Sequence, residues 1–193
     1  VEILKGYHGT SYENYEKIQR DGFQLHPAGR KGLPSDLGVG IYFYIEGPYA
    51  IAPEKMAKKY AGIFKKNDHV RDSKSTVVKV EFDAGIRVLD LDEEAVKVDQ
   101  FRISNDVGIK NFINRFRHDK SVNKGALNRG NFDGIVLNNY LKNVERKSGK
   151  TIDAVKKDTY TALLRKWGYK QSNFFNGTEI CIRNLDRITK ISY

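Results

Sequence analysis

Short runs rich in β-branched and aromatic residues are interspersed, in no regular order, with stretches of helical spacing, and this order most constrains the fold of the chain. The clearest strand is Thr76-Val77-Val78-Lys79-Val80-Glu81-Phe82, followed after Gly85 by a second at residues 87–89. Residues 3–7 predict a short strand that delivers His8 to its end, and Ser11 then caps a helix with Tyr12, Tyr15 and Ile18 on one side, ended by Gly22. Residues 25–38, punctuated by Pro27, Gly29, Gly32 and Pro34, predict a loop that could cover a ligand. A buried strand at 39–44 and a helix at 53–64, with Met56, Ala57, Tyr60, Ala61 and Phe64 on one face, come next. Further on, the pattern predicts a helix at 107–116, a strand at 133–137, a polar basic segment at 142–151, a helix at 152–167, and closing strands at 179–183 and 187–192. Strands and helices in this order lack the regular alternation of a parallel α/β fold, so the expected class is α+β with mainly antiparallel pairing.

A chain of 193 residues is long enough for one domain with a real core, and 39% apolar residues with 4 prolines argue against disorder. The single cysteine, Cys181, excludes an internal disulfide and points to a reducing compartment. No apolar run approaches the roughly 20 residues that span a bilayer, and no basic segment followed by an apolar one opens the sequence, so a soluble, cytoplasmic protein is expected. The net charge of +10 is uneven, because residues 102–170 carry sixteen Lys and Arg against six Asp and Glu. A field of one sign attracts a polyanion. Lysines on solvated helix faces are the alternative reading.

The chemistry narrows by elimination. Gly38 and Gly40 lack the third glycine and following helix of a dinucleotide fingerprint, and there is no phosphate-binding Gly-Lys-Ser/Thr loop. His8, His26, His69 and His118 are scattered without metal-ligand spacing, so no metal is expected. What remains is Tyr7-His8-Gly9-Thr10, then Gly38-Val39-Gly40-Ile41-Tyr42-Phe43, then Gly177-Thr178-Glu179-Ile180-Cys181-Ile182. They offer a positioned histidine, glycines that let a ligand approach the backbone, an aromatic face and a carboxylate at a strand. Each also has a plain structural reading: His8 as a satisfied strand-end residue, Tyr42 and Tyr60 as core, Glu179 as an exposed carboxylate.

In this order the three phrases resemble ADP-ribosyltransferases of the diphtheria-toxin and poly(ADP-ribose) polymerase type, with their His-Tyr-Glu signature. Asn131-Phe132-Asp133-Gly134-Ile135-Val136 and the stretch from Glu179 to Ile188 also look like small bacterial and phage members. The resemblance implies one ADP-ribosyltransferase domain, a split antiparallel β-sandwich with flanking helices and NAD in its cleft. It implies that His8 bonds the adenosine ribose, that Gly9 and Thr10 belong to the NAD-binding phrase with the Gly9 backbone on the carboxamide, that Tyr42 and Tyr60 stack on the nicotinamide, and that Glu179 accepts from the ribose 2′-OH. A fixed carboxylate there stabilises charge that develops as nicotinamide leaves, and a neutral leaving pyridine requires no general acid. One departure is Ala57, where polymerase-type members often have a serine for the nicotinamide amide.

The acceptor is less constrained. In such folds the loop before the glutamate faces it, and here Lys170, Asn173, Phe174, Phe175 and Asn176 mix aromatic, basic and amide groups that suit a splayed nucleobase. With the charge of residues 102–170, this favours single-stranded RNA or DNA, with residues 115–124 and 142–150 for backbone contacts, over a protein side chain. The resemblance also implies a toxin or phage-defence effector, for which a neutralising antitoxin is expected. Other readings are an RNA 2′-phosphotransferase, against which Tyr42 and Glu179 argue, and a non-catalytic ADP-ribose or nucleic-acid-binding module, which has no use for Glu179.

Overall fold

A computed structural model describes residues 3–25, 34–65, 74–118, 129–161 and 174–193. In chain order these form β1 (Lys5–Ser11), α1 (Tyr12–Asp21), β2 (Ile41–Ile45), α2 (Pro53–Lys65), β3 (Ser75–Phe82), β4 (Val88–Asp90), α3 (Leu91–Ser104), α4 (Asp106–His118), α5 (Arg129–Ser148), β5 (Ala154–Thr159), β6 (Gly177–Ile182) and β7 (Ile188–Ser192).

The strands make one mixed sheet in the order β4-β5-β6-β2-β1-β3-β7. Only β4 and β5 are parallel; every other neighbouring pair is antiparallel. The class is therefore α+β, as the irregular order of elements predicted. Hydrogen bonding runs from β4 to β7 without a break. The sheet is weakest at the β1–β2 seam. These strands pair only at Gly6–Ile45 and Tyr7–Tyr44, whereas β1 follows β3 for seven residues.

Successive side chains of a strand point to opposite faces, so the register assigns each residue a layer. On one face Phe43, Val78, Val80, Phe82, Ile180 and Ile182 bury against Phe23, with Tyr15 and Ile18 of α1 packed beside them. The opposite face carries two helical covers. Met56 and Ala57 of α2 pack on Tyr44, while Leu137, Tyr140 and Leu141 of α5 pack with Val155 and Cys181. Glu179 lies on this second face, two residues before Cys181 and opposite Tyr44. Its carboxylate thus emerges between the two covers.

Several expectations change here. β1 runs on to Ser11, so His8 is in mid-strand; the ladder to β3, ending at Ser11–Ser75, carries it past the predicted stop. Ser11 does cap α1, accepting from the Asn14 N–H at 3.3 Å, and Gly22 ends it at φ 71°. The strand expected at 133–137 is the buried middle of α5, where Leu137, Tyr140, Leu141 and Val144 follow helical spacing. The same helix occupies most of the basic segment at 142–151, which is helical to Ser148. The helix expected from 152 is strand β5, because Ala154 and Val155 are both fully buried on opposite faces of the sheet. The remainder of that stretch, 162–167, lies outside the described residues. α3, which has no apolar period, was not anticipated. Among the described residues no helix is long and apolar enough to cross a membrane.

Candidate functional site

Where β1 and β2 part, a cleft opens that is lined by Tyr7, His8, Gly9, Tyr42, Phe43, Tyr44, Tyr60 and Glu179. Five of these were picked from sequence: His8, Gly9, Tyr42, Tyr60 and Glu179. Tyr7, Phe43 and Tyr44 were not. The signal for Tyr44 was present, since it lies two residues from Tyr42 in a strand and so shares its face. Thr10, assigned with them to the cofactor phrase, does not line the cleft; it is buried in the β1–β3 ladder opposite Thr76.

His8 bridges the seam after backbone pairing has stopped. Its Nδ1 lies 2.8 Å from the Tyr42 carbonyl oxygen, and its ring meets Phe23 edge-on at 5.5 Å. A carbonyl only accepts, so Nδ1 carries the proton. Burial holds the imidazole pKa below its usual value, against the pull of that hydrogen bond. The neutral ring therefore keeps Nε2 as an acceptor, which suits a ligand hydroxyl.

Tyr42 is anchored at its far end. Its hydroxyl accepts from the Leu37 N–H at 2.9 Å and donates to the Gly38 carbonyl at 3.2 Å, leaving the ring as cleft wall. The turn that holds it rests on α5. The Asn131 side chain donates to the Pro34 carbonyl at 2.8 Å, and the Val39 N–H donates to Asn138 Oδ1 at 3.3 Å. These supporting residues were not identified from sequence, because their partners are about a hundred residues away.

The glycines make room within the fold itself. A Cβ on Gly9 would sit 1.8 Å from the Ala57 carbonyl oxygen, so this glycine lets α2 press onto β1. A Cβ on Gly40 would meet Cys181 Sγ and the Ile182 carbonyl at 2.5 Å, and Gly38 has φ +89°, a backbone region L side chains rarely adopt. Ala57 is fully buried in the same contact, which explains a small apolar residue at this point.

Tyr60, 39% exposed, meets Tyr44 edge-on at 6.1 Å and forms the outer wall. The cleft encloses about 40 Å³, more than the roughly 10–15 Å³ that a water needs and less than a substrate ring. A ring-sized ligand has to part these walls or lie across the mouth.

Burial pushes the Glu179 carboxyl up to about 7, with Asp36 adding to the rise and the Tyr44 hydroxyl and Lys157 opposing it. Near neutral pH this carboxyl is divided between its two protonation states. Cys181, two residues on, is pushed by burial up to about 12 and stays a thiol, so it is no nucleophile at neutral pH. Among the described residues no group of three or more His, Cys, Asp or Glu could hold a metal ion.

The acceptor-loop assignments divide. Lys170 and Asn173 lie outside the described residues. Phe174 and Phe175 are 84% and 47% exposed, so they do not pack into the sheet. Asn176 faces inward: its side chain accepts from the Thr161 N–H at 2.8 Å and donates to the Thr161 carbonyl at 2.9 Å, a clasp between the ends of β5 and β6. The Asn176 amide is thereby engaged within the fold. In comparisons with known proteins, no family model, no curated protein and no solved structure matches the chain.

Proposed function

We propose that this protein is an NAD-dependent mono-ADP-ribosyltransferase acting on a single-stranded nucleic acid acceptor. One observation carries the reading: His8, Gly9, Tyr42, Tyr60 and Glu179, spread over 171 positions of the chain, line one cleft at the seam of the sheet. The sequence resemblance implies a role for each of the five.

The side chains fit that donor chemically. Nε2 of neutral His8 accepts from a ribose hydroxyl, the Tyr42 and Tyr60 rings offer faces to a flat heterocycle, and the Glu179 carboxylate accepts from a second hydroxyl. In the transfer the C1′–N bond of the nicotinamide riboside breaks, its electron pair stays on the pyridine nitrogen, and the acceptor bonds C1′ and gives up its proton. Ionised Glu179 faces the positive charge that develops on the ribose, where a preorganised charge in a dry site is worth several kcal/mol. With its carboxyl at about 7, Glu179 is also matched to take the acceptor proton near neutral pH.

Support for a nucleic acid acceptor is of a different kind. Phe174 and Phe175 stand exposed just ahead of β6, and Lys142, Arg146, Lys147 and Lys150 are exposed along the end of α5 and the turn after it. Exposed aromatic faces and exposed cations both suit an unpaired strand; here they lie at opposite ends of β6, because Arg183, just past its end, pairs with Glu145 of α5. The test is transfer of label from NAD to total RNA, denatured DNA or cell protein, comparing the parent with Glu179→Ala. Glu179-dependent label on nucleic acid supports the whole reading. Label on protein alone replaces the acceptor, and no Glu179-dependent NAD consumption removes the enzyme.

A further inference from the structure

We infer that Tyr44 is a positioning residue for Glu179, holding its carboxylate through a hydrogen-bonded chain that begins at Thr161. This rests on the transferase reading for its role in catalysis, but its geometry stands apart from it. The β2–β6 register sets Tyr44 directly opposite Glu179, and both line the cleft. Tyr44 Oη lies 2.6 Å from Thr161 Oγ1, and across the cleft the Tyr44 hydroxyl and the Glu179 carboxyl act on each other's protonation.

The polarity of the chain follows from proton counting. An ionised carboxylate only accepts, so the tyrosine gives its one proton to Glu179. Its oxygen then accepts from the Thr161 hydroxyl. Thr161 is buried, and two hydrogen bonds between its backbone and the Asn176 side chain hold its main chain in place. The end of β5 and the start of β6 are thus tied to the placement of one carboxylate. The apolar strand Ile41-Tyr42-Phe43-Tyr44-Ile45 would pack a phenylalanine at 44 equally well, so the hydroxyl is what this position adds.

Several groups besides Tyr44 face Glu179. Lys157 is its register partner on β5, Asp36 acts from the turn before β2, and Tyr42, Tyr60 and Cys181 complete its surroundings. Among them Tyr44 is the hydroxyl that donates to the carboxylate and opposes the effect of burial. Removing that donor should leave more of Glu179 protonated at neutral pH.

The experiment is a carbon-13 NMR titration of glutamate side-chain carboxyls in the parent, Tyr44→Phe, Thr161→Val and Thr161→Ser, with Glu179→Gln used to assign the signal. NAD consumption is followed over the same pH range. Tyr44→Phe is expected to raise the Glu179 midpoint by about one pH unit, tenfold in proton affinity, and to move the alkaline-rising limb of kcat by the same amount. Thr161→Val should move it in the same direction by less, and Thr161→Ser should restore the parent value. A merely structural tie would lower the melting temperature and leave the midpoint in place, and an unchanged midpoint in a folded Tyr44→Phe protein overturns the inference. If the parent consumes no NAD, the transferase reading fails while the titration still decides the role of Tyr44.

Discussion

In the cleft, His8 is tied to the Tyr42 carbonyl, the Tyr42 hydroxyl to Leu37 and Gly38, and the Tyr44 hydroxyl to Thr161. At the end of α5, by contrast, Lys142, Arg146, Lys147 and Lys150 simply stand exposed on and just beyond a helix. Strand register and hydrogen bonds hold the first set to within a narrow range, as directed chemistry on a small substrate requires. The second set creates a field, and a field needs only sign and approximate place. A reading of the cleft can therefore be broken by moving one atom, while a reading of the basic face yields only to changes in total charge.

The largest effect is expected from Glu179→Gln, which keeps the shape and removes the charge. NAD consumption should fall by about 10²–10³, the usual cost of one preorganised group at a reacting centre. A Glu179→Gln protein that turns over NAD at the parental rate would remove the cleft from the mechanism.

Next comes Gly9→Ala. Its Cβ would collide with the Ala57 carbonyl, a backbone atom that cannot swing aside, so α2 must shift away from β1 and carry Tyr60 with it. A cost of about 1–3 kcal/mol is expected, some 2–12 °C in melting temperature for a chain of this length. Gly62→Ala, on the same helix but with open space around its Cβ, should instead stabilise by about 0.5–1 kcal/mol. Equal responses at the two glycines would mean that the β1–α2 contact does not set the inner wall.

These positions also explain what could be read in the sequence. His8, Tyr42 and Glu179 were legible because each lies within or beside a short apolar strand, where a polar group is conspicuous. What the glycines do was not legible, since the atoms they make room for, on Ala57, Asn138 and Ile182, are distant in sequence. Ile135-Val136-Leu137 misled for another reason: a short continuous apolar run fits a buried strand or a buried helix, and only Tyr140, Leu141 and Val144 beyond it decide for the helix. β5 misled because Val155 was read with residues further on, while Ala154, buried beside it on the other face, carried too little apolar surface to mark a strand. The partnership of Asn176 with Thr161 was not legible because the two lie fifteen residues apart in sequence.

A smaller effect separates the charge of Glu179 from its chemistry. With its carboxyl raised from 4.5 to about 7, the folded protein binds more protons than the unfolded chain between those values. Stability therefore falls as pH rises through this window, and the penalty is complete above pH 7. Glu179→Gln has no such group, so it should melt with the parent near pH 4 and exceed it at pH 8 by about 1–3 kcal/mol. Identical pH profiles would place the carboxylate in water rather than between the helical covers.

The smallest and most distributed effect belongs to the basic face. Replacing Lys142, Arg146 and Lys147 with Gln removes three exposed charges and touches nothing in the cleft. If these cations meet phosphates, affinity for a single strand should lose about 0.7 in the slope of log affinity against log salt for each charge. Transfer to nucleic acid should then drop several-fold at physiological salt, while NAD consumption without acceptor stays at the parental rate. A parental salt slope with transfer unchanged would mark these residues as a solvated helix face. Loss of NAD consumption together with transfer would show that the two regions are coupled, and the division between a positioned cleft and a field-bearing surface would have to be redrawn.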